Sequence, residues 1–367
     1  MTDLKLAIIG AGNAGVTLAA NSKLAGAPDV RLYDLYTHEL SLISDNDNCV
    51  ELRGNIDITG RAQLDLVTSD ADEVANDANF FVCDTPANAH ADVVRTFAPF
   101  LEDGDVFLFH PGRTGAVLEA REILNEMNIK KSVILLEAQT LLYACRVRGS
   151  SATVYGVKDS VSVAGEDPTA AKKAIDQLGQ FVGNGHWKVE KSVLSTSLAN
   201  IGMLFHPAVT LFNLSRIQGP DKFMFYTDGA SEIVASFIHE LDLEKLAVGH
   251  AYGVKLDTVQ EWLRESYGAD GTTVFDALHN NVVYHGLAAP SHLTSEDIRH
   301  LRYIVEDVPC GLVPFSELGR KANVKTPHID AIILLASATL SCDFRAEGLT
   351  LERLGLAGKS VAEISAI

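Results

Sequence analysis

With 367 residues, 47% of them hydrophobic and 21% charged, the chain has a globular composition and the length of two domains. A formal charge of −18 argues against a nucleic-acid partner or an anionic membrane surface, and no run of about eighteen apolar residues offers a membrane span. Cys49, Cys83, Cys145, Cys310 and Cys342 are odd in number, widely spaced and free of any C-x-x-C. Neither a disulfide framework nor a metal site is indicated, and a reducing cytoplasm is the expected setting.

The segment LAIIGAGNAG, residues 6–15, reads as a short buried strand entering a complete G-x-G-x-x-G, Gly10-Ala11-Gly12-Asn13-Ala14-Gly15. A helix of small apolar residues over 16–24 follows. In a dinucleotide site Gly10 permits the tight turn, Gly12 the approach of a pyrophosphate, and Gly15 close packing of helix on strand. The pyrophosphate is then expected at the helix N-terminus, where unpaired N–H groups and the dipole favour negative charge. A second strand over 29–33 ends at Asp34, nineteen residues beyond Gly15, where a carboxylate can accept from the adenosine ribose hydroxyls. Taken alone, Asp34 is also compatible with a plain strand-ending turn. A 2′-phosphate would meet that carboxylate at a cost of about 1–4 kcal/mol at ~4 Å. Leu35, Tyr36 and Thr37 bring no Arg or Lys to receive it, so NAD is expected and NADP is disfavoured.

The chain then alternates helix-like and strand-like segments: a helix over 40–44, a strand over 64–67, a helix over 71–76, and a buried strand over 79–82. That strand ends at Cys83-Asp84-Thr85-Pro86. In a doubly wound sheet such an end lies at the carboxyl edge, which makes Thr85 and Pro86 candidate cofactor contacts or an ordinary turn. Next come a helix over 89–100, a strand over 106–109 running into His110-Pro111-Gly112-Arg113-Thr114-Gly115, and a helix over 116–127. A strand over 132–137 follows, leading into Ala138-Gln139-Thr140, then a hairpin of 153–157 with 160–163 and a helix over 170–181. Beyond residue 189 strand signals nearly vanish, and 3.6-residue periodicity takes over at 193–205, 231–249, 256–267 and 329–340. The pattern predicts an α/β dinucleotide-binding domain over 1–188, with a doubly wound and mostly parallel sheet, and an all-α domain over 189–367. The active site is expected in the cleft between them.

A nicotinamide cofactor brings hydride, so the protein must bring a proton donor and a substrate anchor. In LANIGMLFHPAVTLFN, residues 198–213, His206 precedes Pro207, whose ring disfavours helical geometry at His206 and is expected to kink the helix. A lone histidine on an apolar helix is more often a core residue than a catalyst. In the segment RYIVEDVPCG, residues 302–311, Arg302 is suited to gripping a carboxylate and Asp307 to fixing an imidazole tautomer, or both belong to a solvated loop. Spacing alone does not bring residue 307 to residue 206.

Across nearly its whole length the chain resembles the opine dehydrogenase family, of the octopine/nopaline and carboxyethyl-norvaline type. The matching marks are GAGNAG at 10–15, PGRTG at 111–115, QTLLYACR at 139–146, NIGMLFHP at 200–207, EWLRESYG at 261–268, RYIVEDVPCGLVPFSELGR at 302–320 and LERLGL at 351–356. The resemblance implies a Rossmann domain followed by a helical domain, on the two-domain plan of 6-phosphogluconate dehydrogenase. It places the general acid/base at His206, its partner at Asp307 and a carboxylate-binding Arg at 302, with Thr140 and Cys145 near the keto-acid subsite. The implied reaction is NADH-dependent reductive condensation of an α-amino acid with an α-keto acid, pyruvate in the first instance, or the reverse oxidation. Small-molecule substrates and a homodimer are the expected partners. The segment over 268–300 departs from the family pattern, which leaves the amino acid undefined. A rival on the same plan, a reductase of the ketopantoate or glycerol-3-phosphate type, would place a Lys near Asn200; Thr196 stands four residues before it instead. A protein that holds NAD without turnover would have no need of His206, Asp307 and Arg302.

Overall fold

In chain order the first half of the protein holds β1 (Lys5–Ile9), β2 (Asp29–Tyr33), β3 (Cys49–Gly54), β4 (Gly60–Gln63), β5 (Leu66–Thr68), β6 (Phe80–Cys83), β7 (Val106–Phe109), β8 (Ile134–Ala138), β9 (Tyr143–Arg148), β10 (Ser151–Val157), β11 (Val161–Gly165) and β12 (Trp187–Val189). Eight of these form one sheet in the order β12-β11-β8-β7-β6-β1-β2-β5. Every pairing in it is parallel except β11 with β8. The central strands are apolar on both faces because both faces are covered: FFVC in β6 and VFLF in β7 are buried at every position. Phe81 stacks on Phe107 with ring centroids 6.0 Å apart and planes 10° from parallel.

Chain direction across the sheet reverses at β1. The chain moves outward through β2 and β5, then returns to the other side of β1 as β6. The carboxyl ends of β1 and β6 therefore flank the switch point where ligands of open α/β sheets bind. Gly10 follows one of these strands and Asp84-Thr85-Pro86 the other.

A second, four-stranded sheet, β4-β3-β10-β9, was not foreseen from sequence. Its strands are short and partly polar, GRAQ in β4 and CVELRG in β3, and give little alternation to detect. The helix Asn13–Leu24 lies between the two sheets, touching β1 and β2 on one side and β3, β4 and β9 on the other. This accounts for its nine consecutive buried residues, Ala14 through Ser22, where a surface helix would show one apolar stripe. The expected hairpin of 153–157 with 160–163 is corrected. β10 pairs with β9 and β3, whereas β11 pairs with β8 and β12, so the two neighbours belong to different sheets.

The computed structural model describes residues 4–367 and divides after Ser197, so β12 and the short helix Val193–Ser197 stay with the first unit. The expected helix over 193–205 is broken at 198–201, and a new helix runs Gly202–Phe212. The break follows the anchoring of Thr196 and Ser197, whose hydroxyls donate to the buried Glu137 carboxylate at 2.8 and 2.6 Å. Pro207 lies inside Gly202–Phe212, and the helix continues through it.

The second unit is helical, with one isolated bridge, Met224 to Ala288, among the described residues. Its longest helix, Glu232–Ala251, is tied to the start of Pro327–Leu340 by Glu244, which accepts from the N–H groups of His328 and Ile329 at 2.8 and 2.9 Å. Capping boxes open four helices: Thr258 with Glu261, Thr273 with Asp276, Thr294 with Asp297, and Ser360 with Glu363. No described helix is long and apolar enough to cross a membrane.

Candidate active site

The glycine-rich turn has the shape its sequence requires. Gly10 sits at φ +111, and a Cβ there would lie 3.0 Å from the Asp84 carbonyl oxygen. A Cβ on Gly15 would fall 1.9 Å from the Gly10 carbonyl oxygen, so only glycine lets the helix begin so close to the turn. Gly12 differs: a Cβ there meets nothing within 4 Å, so its backbone faces open space that a pyrophosphate can enter. Asp34 is held beside this turn, accepting from Ala11 N–H at 2.6 Å through Oδ2 and from Tyr36 N–H at 2.9 Å through Oδ1. Thr85 packs its methyl group toward Gly10, and Pro86 follows it directly. The chemistry of this cradle fits a dinucleotide: open backbone at a helix start, one carboxylate for a ribose, and no basic residue over 35–37 for a 2′-phosphate.

Asn13 and Cys145 are engaged with each other and with β9. The Asn13 side chain accepts from Val147 N–H at 2.7 Å, and Cys145 Sγ donates to the Asn13 carbonyl at 3.2 Å. Cys145 is 4% exposed. Together they fasten the glycine loop to β9. Thr140 lies half-buried in the bend after β8. Beside that bend, unnoticed from sequence, Lys158 donates to the Leu141 carbonyl at 2.7 Å. Desolvation pushes its ammonium down to about 8, and the Arg113 guanidinium adds to the effect.

The second unit brings His206 and Asp307 together. His206 Nδ1 lies 2.8 Å from Asp307 Oδ2, with the histidine side chain 17% exposed and the aspartate 1%. A carboxylate can only accept, so Nδ1 carries the proton and Nε2 is left as the acceptor. The close approach has a local cause. Gly311 sits in a π-helical turn, Val308–Leu312, and a Cβ on it would lie 2.7 Å from Met203 Cβ. Met203 is one turn before His206 on its helix, and Asp307 one π-helical turn before Gly311, so the contact the glycine permits brings the imidazole and carboxylate into register. Asp307 Oδ1 is buried without a hydrogen-bond partner among the described residues.

Three neighbours of this pair were missed from sequence. The Tyr303 ring stacks on the imidazole at 4.7 Å, and the Tyr226 hydroxyl lies 3.0 Å from Nε2. Glu306, buried, holds Arg302 through Nε and, at 3.4 Å, through Nη2, and the arginine side chain is about half exposed. The residue types at 303 and 306 hinted at nothing, and Tyr226 lies in an irregular stretch with no periodicity to read.

A switch-point glycine turn with a ribose-type carboxylate, followed by a helical unit carrying a His–Asp pair whose aspartate is buried, defines a two-part dinucleotide-dependent dehydrogenase. Comparison with known proteins narrows the class. Residues 189–340 match the family described as NAD/NADP octopine/nopaline dehydrogenase, alpha-helical domain. An opine dehydrogenase from Arthrobacter sp. (strain 1C) is 35% identical over 359 residues, covering 98% of this chain and 97% of that one. A tauropine dehydrogenase from Arabella iricolor is 25% identical, covering 94% and 93%. Among solved structures, octopine dehydrogenase with NADH and L-arginine superposes with a TM-score of 0.79 at 20% identity, covering 99% of this chain and 98% of that one. A ketopantoate reductase from Ralstonia eutropha shares the fold with a TM-score of 0.59 at 14% identity, covering 92% and 99%. The chain belongs to the opine dehydrogenase family. It is an NAD(P)-dependent oxidoreductase, with NAD favoured, of the reductive condensation of an α-amino acid with an α-keto acid or its reverse, and the simple reductase is not favoured.

Proposed function

We propose that pyruvate is the keto acid, that His206 is the acid/base of the condensation, and that Asp307 and Arg302 support it. The observation that carries this reading is the Nδ1 bond of His206 to a buried carboxylate, which fixes the tautomer and stabilises the imidazolium once Nε2 gains a proton. The substrate amine adds to the keto carbonyl, and the oxygen must then leave as water. His206 supplies the proton for that departure, a service worth about 10² to 10⁴ in rate, or roughly 3–5 kcal/mol. Arg302 is the anchor for a substrate carboxylate, its fork steadied on one side by Glu306.

Gly10, Gly12, Asn13, Ala14, Gly15, Asp34, Thr85 and Pro86 are the residues we assign to holding the dinucleotide, which when bound supplies hydride. Thr140 is assigned to the keto-acid subsite. Cys145, with its thiol committed to Asn13, serves that subsite by fixing the loop. The same residues serve the reverse oxidation of an opine. We also infer a domain division near 188/189, where the family match begins, although the compact units part after Ser197. A homodimer and a cytoplasmic setting complete the reading; exposed Phe212, Ile233 and Leu334 support the first, and five free cysteines the second. Sedimentation at two protein concentrations checks the assembly.

The test is NADH oxidation at fixed pyruvate with each common amino acid in turn, against a control lacking amine. Consumption that requires one class of amino acid supports the reading. Equal consumption in the control would overturn it in favour of simple reduction.

A further inference from the structure

The outer nitrogen of His206 is already engaged. Its Nε2 faces the Tyr226 hydroxyl at 3.0 Å, and that ring is held on several sides. Tyr226 stacks on Tyr284 at 4.0 Å with planes 16° apart, and meets Phe225 and Phe205 edge-on at 5.0 and 6.0 Å. Tyr284 is itself buried and meets Tyr267 at 5.5 Å. Tyr226 is 9% exposed, so its ring has little room to swing aside. A substrate oxygen approaching Nε2 along its lone pair would need the position this hydroxyl holds. A hydroxyl both donates and accepts, whereas an amide or a methyl there would simply block.

We propose that Tyr226 is a further catalytic residue, the group through which the proton of His206 reaches the substrate oxygen. This rests on the assignment of His206 as the acid/base. As the amine adduct of the keto acid collapses, the Tyr226 O–H proton passes to the departing hydroxyl. The Nε2 proton of the imidazolium passes at the same time to the phenolic oxygen. The C–O bond breaks, the nitrogen lone pair forms the C=N bond, and water leaves. Charge balances, since the imidazolium becomes neutral as the amine adduct becomes a protonated imine. Tyr226 ends as it began, a neutral phenol.

The decisive variant is Tyr226→Phe, which keeps the stacked ring and removes only the oxygen. Single-turnover NADH oxidation should slow about 10²-fold, with KM for both substrates within about twofold and NADH binding unchanged. In mixtures of H2O and D2O the wild-type rate should bow downward, as two protons move together, and the residual rate of Tyr226→Phe should fall on a straight line. A purely structural role would not change the shape of that plot. An unchanged rate in Tyr226→Phe, or a straight line for the wild type, would overturn the relay while leaving the condensation intact. NADH consumption independent of amine would overturn the condensation instead, and the Phe variant would still decide whether Tyr226 carries the proton to the carbonyl oxygen.

Discussion

Among the described residues stand two histidine–aspartate pairs of nearly equal geometry and different meaning. In the first unit His110 Nδ1 lies 2.7 Å from Asp84 Oδ1, and in the second His206 Nδ1 lies 2.8 Å from Asp307 Oδ2. Both aspartates have their second oxygen buried and without a hydrogen-bond partner among the described residues. What separates the pairs is the far side of the ring. His110 Nε2 accepts from Leu142 N–H at 2.8 Å, and neither side chain of that pair has any exposed surface. A backbone amide keeps its proton under these conditions, so the first pair is a brace that ties the end of β6 to the loop entering β9. His206 Nε2 meets a hydroxyl, which gives and takes protons freely. The distal contact, more than the carboxylate partner, distinguishes this brace from the acid/base proposed at His206.

Substitution should expose that difference most sharply at His206. His206→Asn keeps a donor toward Asp307 but offers nothing at the Nε2 position, and turnover should fall about 10² to 10⁴-fold. NADH binding and thermal stability should stay near wild type, read by fluorescence titration and calorimetry. Near-normal turnover would collapse the distinction between the two pairs. The brace should respond the other way. His110→Asn retains a donor for Asp84 but strands the Leu142 N–H, a loss of about 1–3 kcal/mol in urea unfolding, with the rate per folded molecule within a few-fold of wild type. His110→Gln reaches the ε position with an acceptor and should recover part of that loss. A collapse of turnover in a well-folded His110→Asn would give the brace a chemical role.

Much of this was readable from the chain because it is local. The glycine turn, its helix and Asp34 lie within 25 residues of one another, and backbone sterics dictate the glycines. The buried strands FFVC and VFLF announce themselves by composition. The second sheet did not, since GRAQ has no apolar rhythm and its partner β3 is set in register by β10, arriving from a hundred residues away. Nor did periodicity reveal that the helix over 193–205 would break, because the break depends on Glu137, a distant strand residue whose carboxylate collects Thr196, Ser197 and Val117 N–H. The pairing of 206 with 307 came from family resemblance. In physical terms it depends on Gly311 against Met203, a contact between segments a hundred residues apart that no spacing rule contains.

The smallest expected effect concerns acid, and it sets the carboxyls of the two units against each other. In the first, burial pushes Asp84, Glu137 and Asp105 up, outweighing the hydrogen bonds that pull the other way. A carboxyl raised on folding favours the folded state most below its ordinary value, near 3.8 for Asp and 4.5 for Glu, and that contribution fades as pH rises through the raised value. In the second, hydrogen bonds from the capping hydroxyls and amides hold Glu261, Asp276, Asp297 and Glu363 below their ordinary values. Their contribution is full at neutral pH and is lost as pH falls below about 4, through the lowered values. Asp77, lowered by its hydrogen bond from Lys5 at the surface, is an opposing case in the first unit. Acidification should therefore loosen the helix starts at 259, 274, 295 and 361 before it loosens β6, β7 and β8. Hydrogen exchange followed by mass spectrometry between pH 6 and pH 3, corrected for intrinsic rates, reads the order directly. Loss of protection in the central strands ahead of those helices would show the reverse, that hydrogen bonds hold the buried carboxyls ionised in the fold and that their protonation is what loosens the strands.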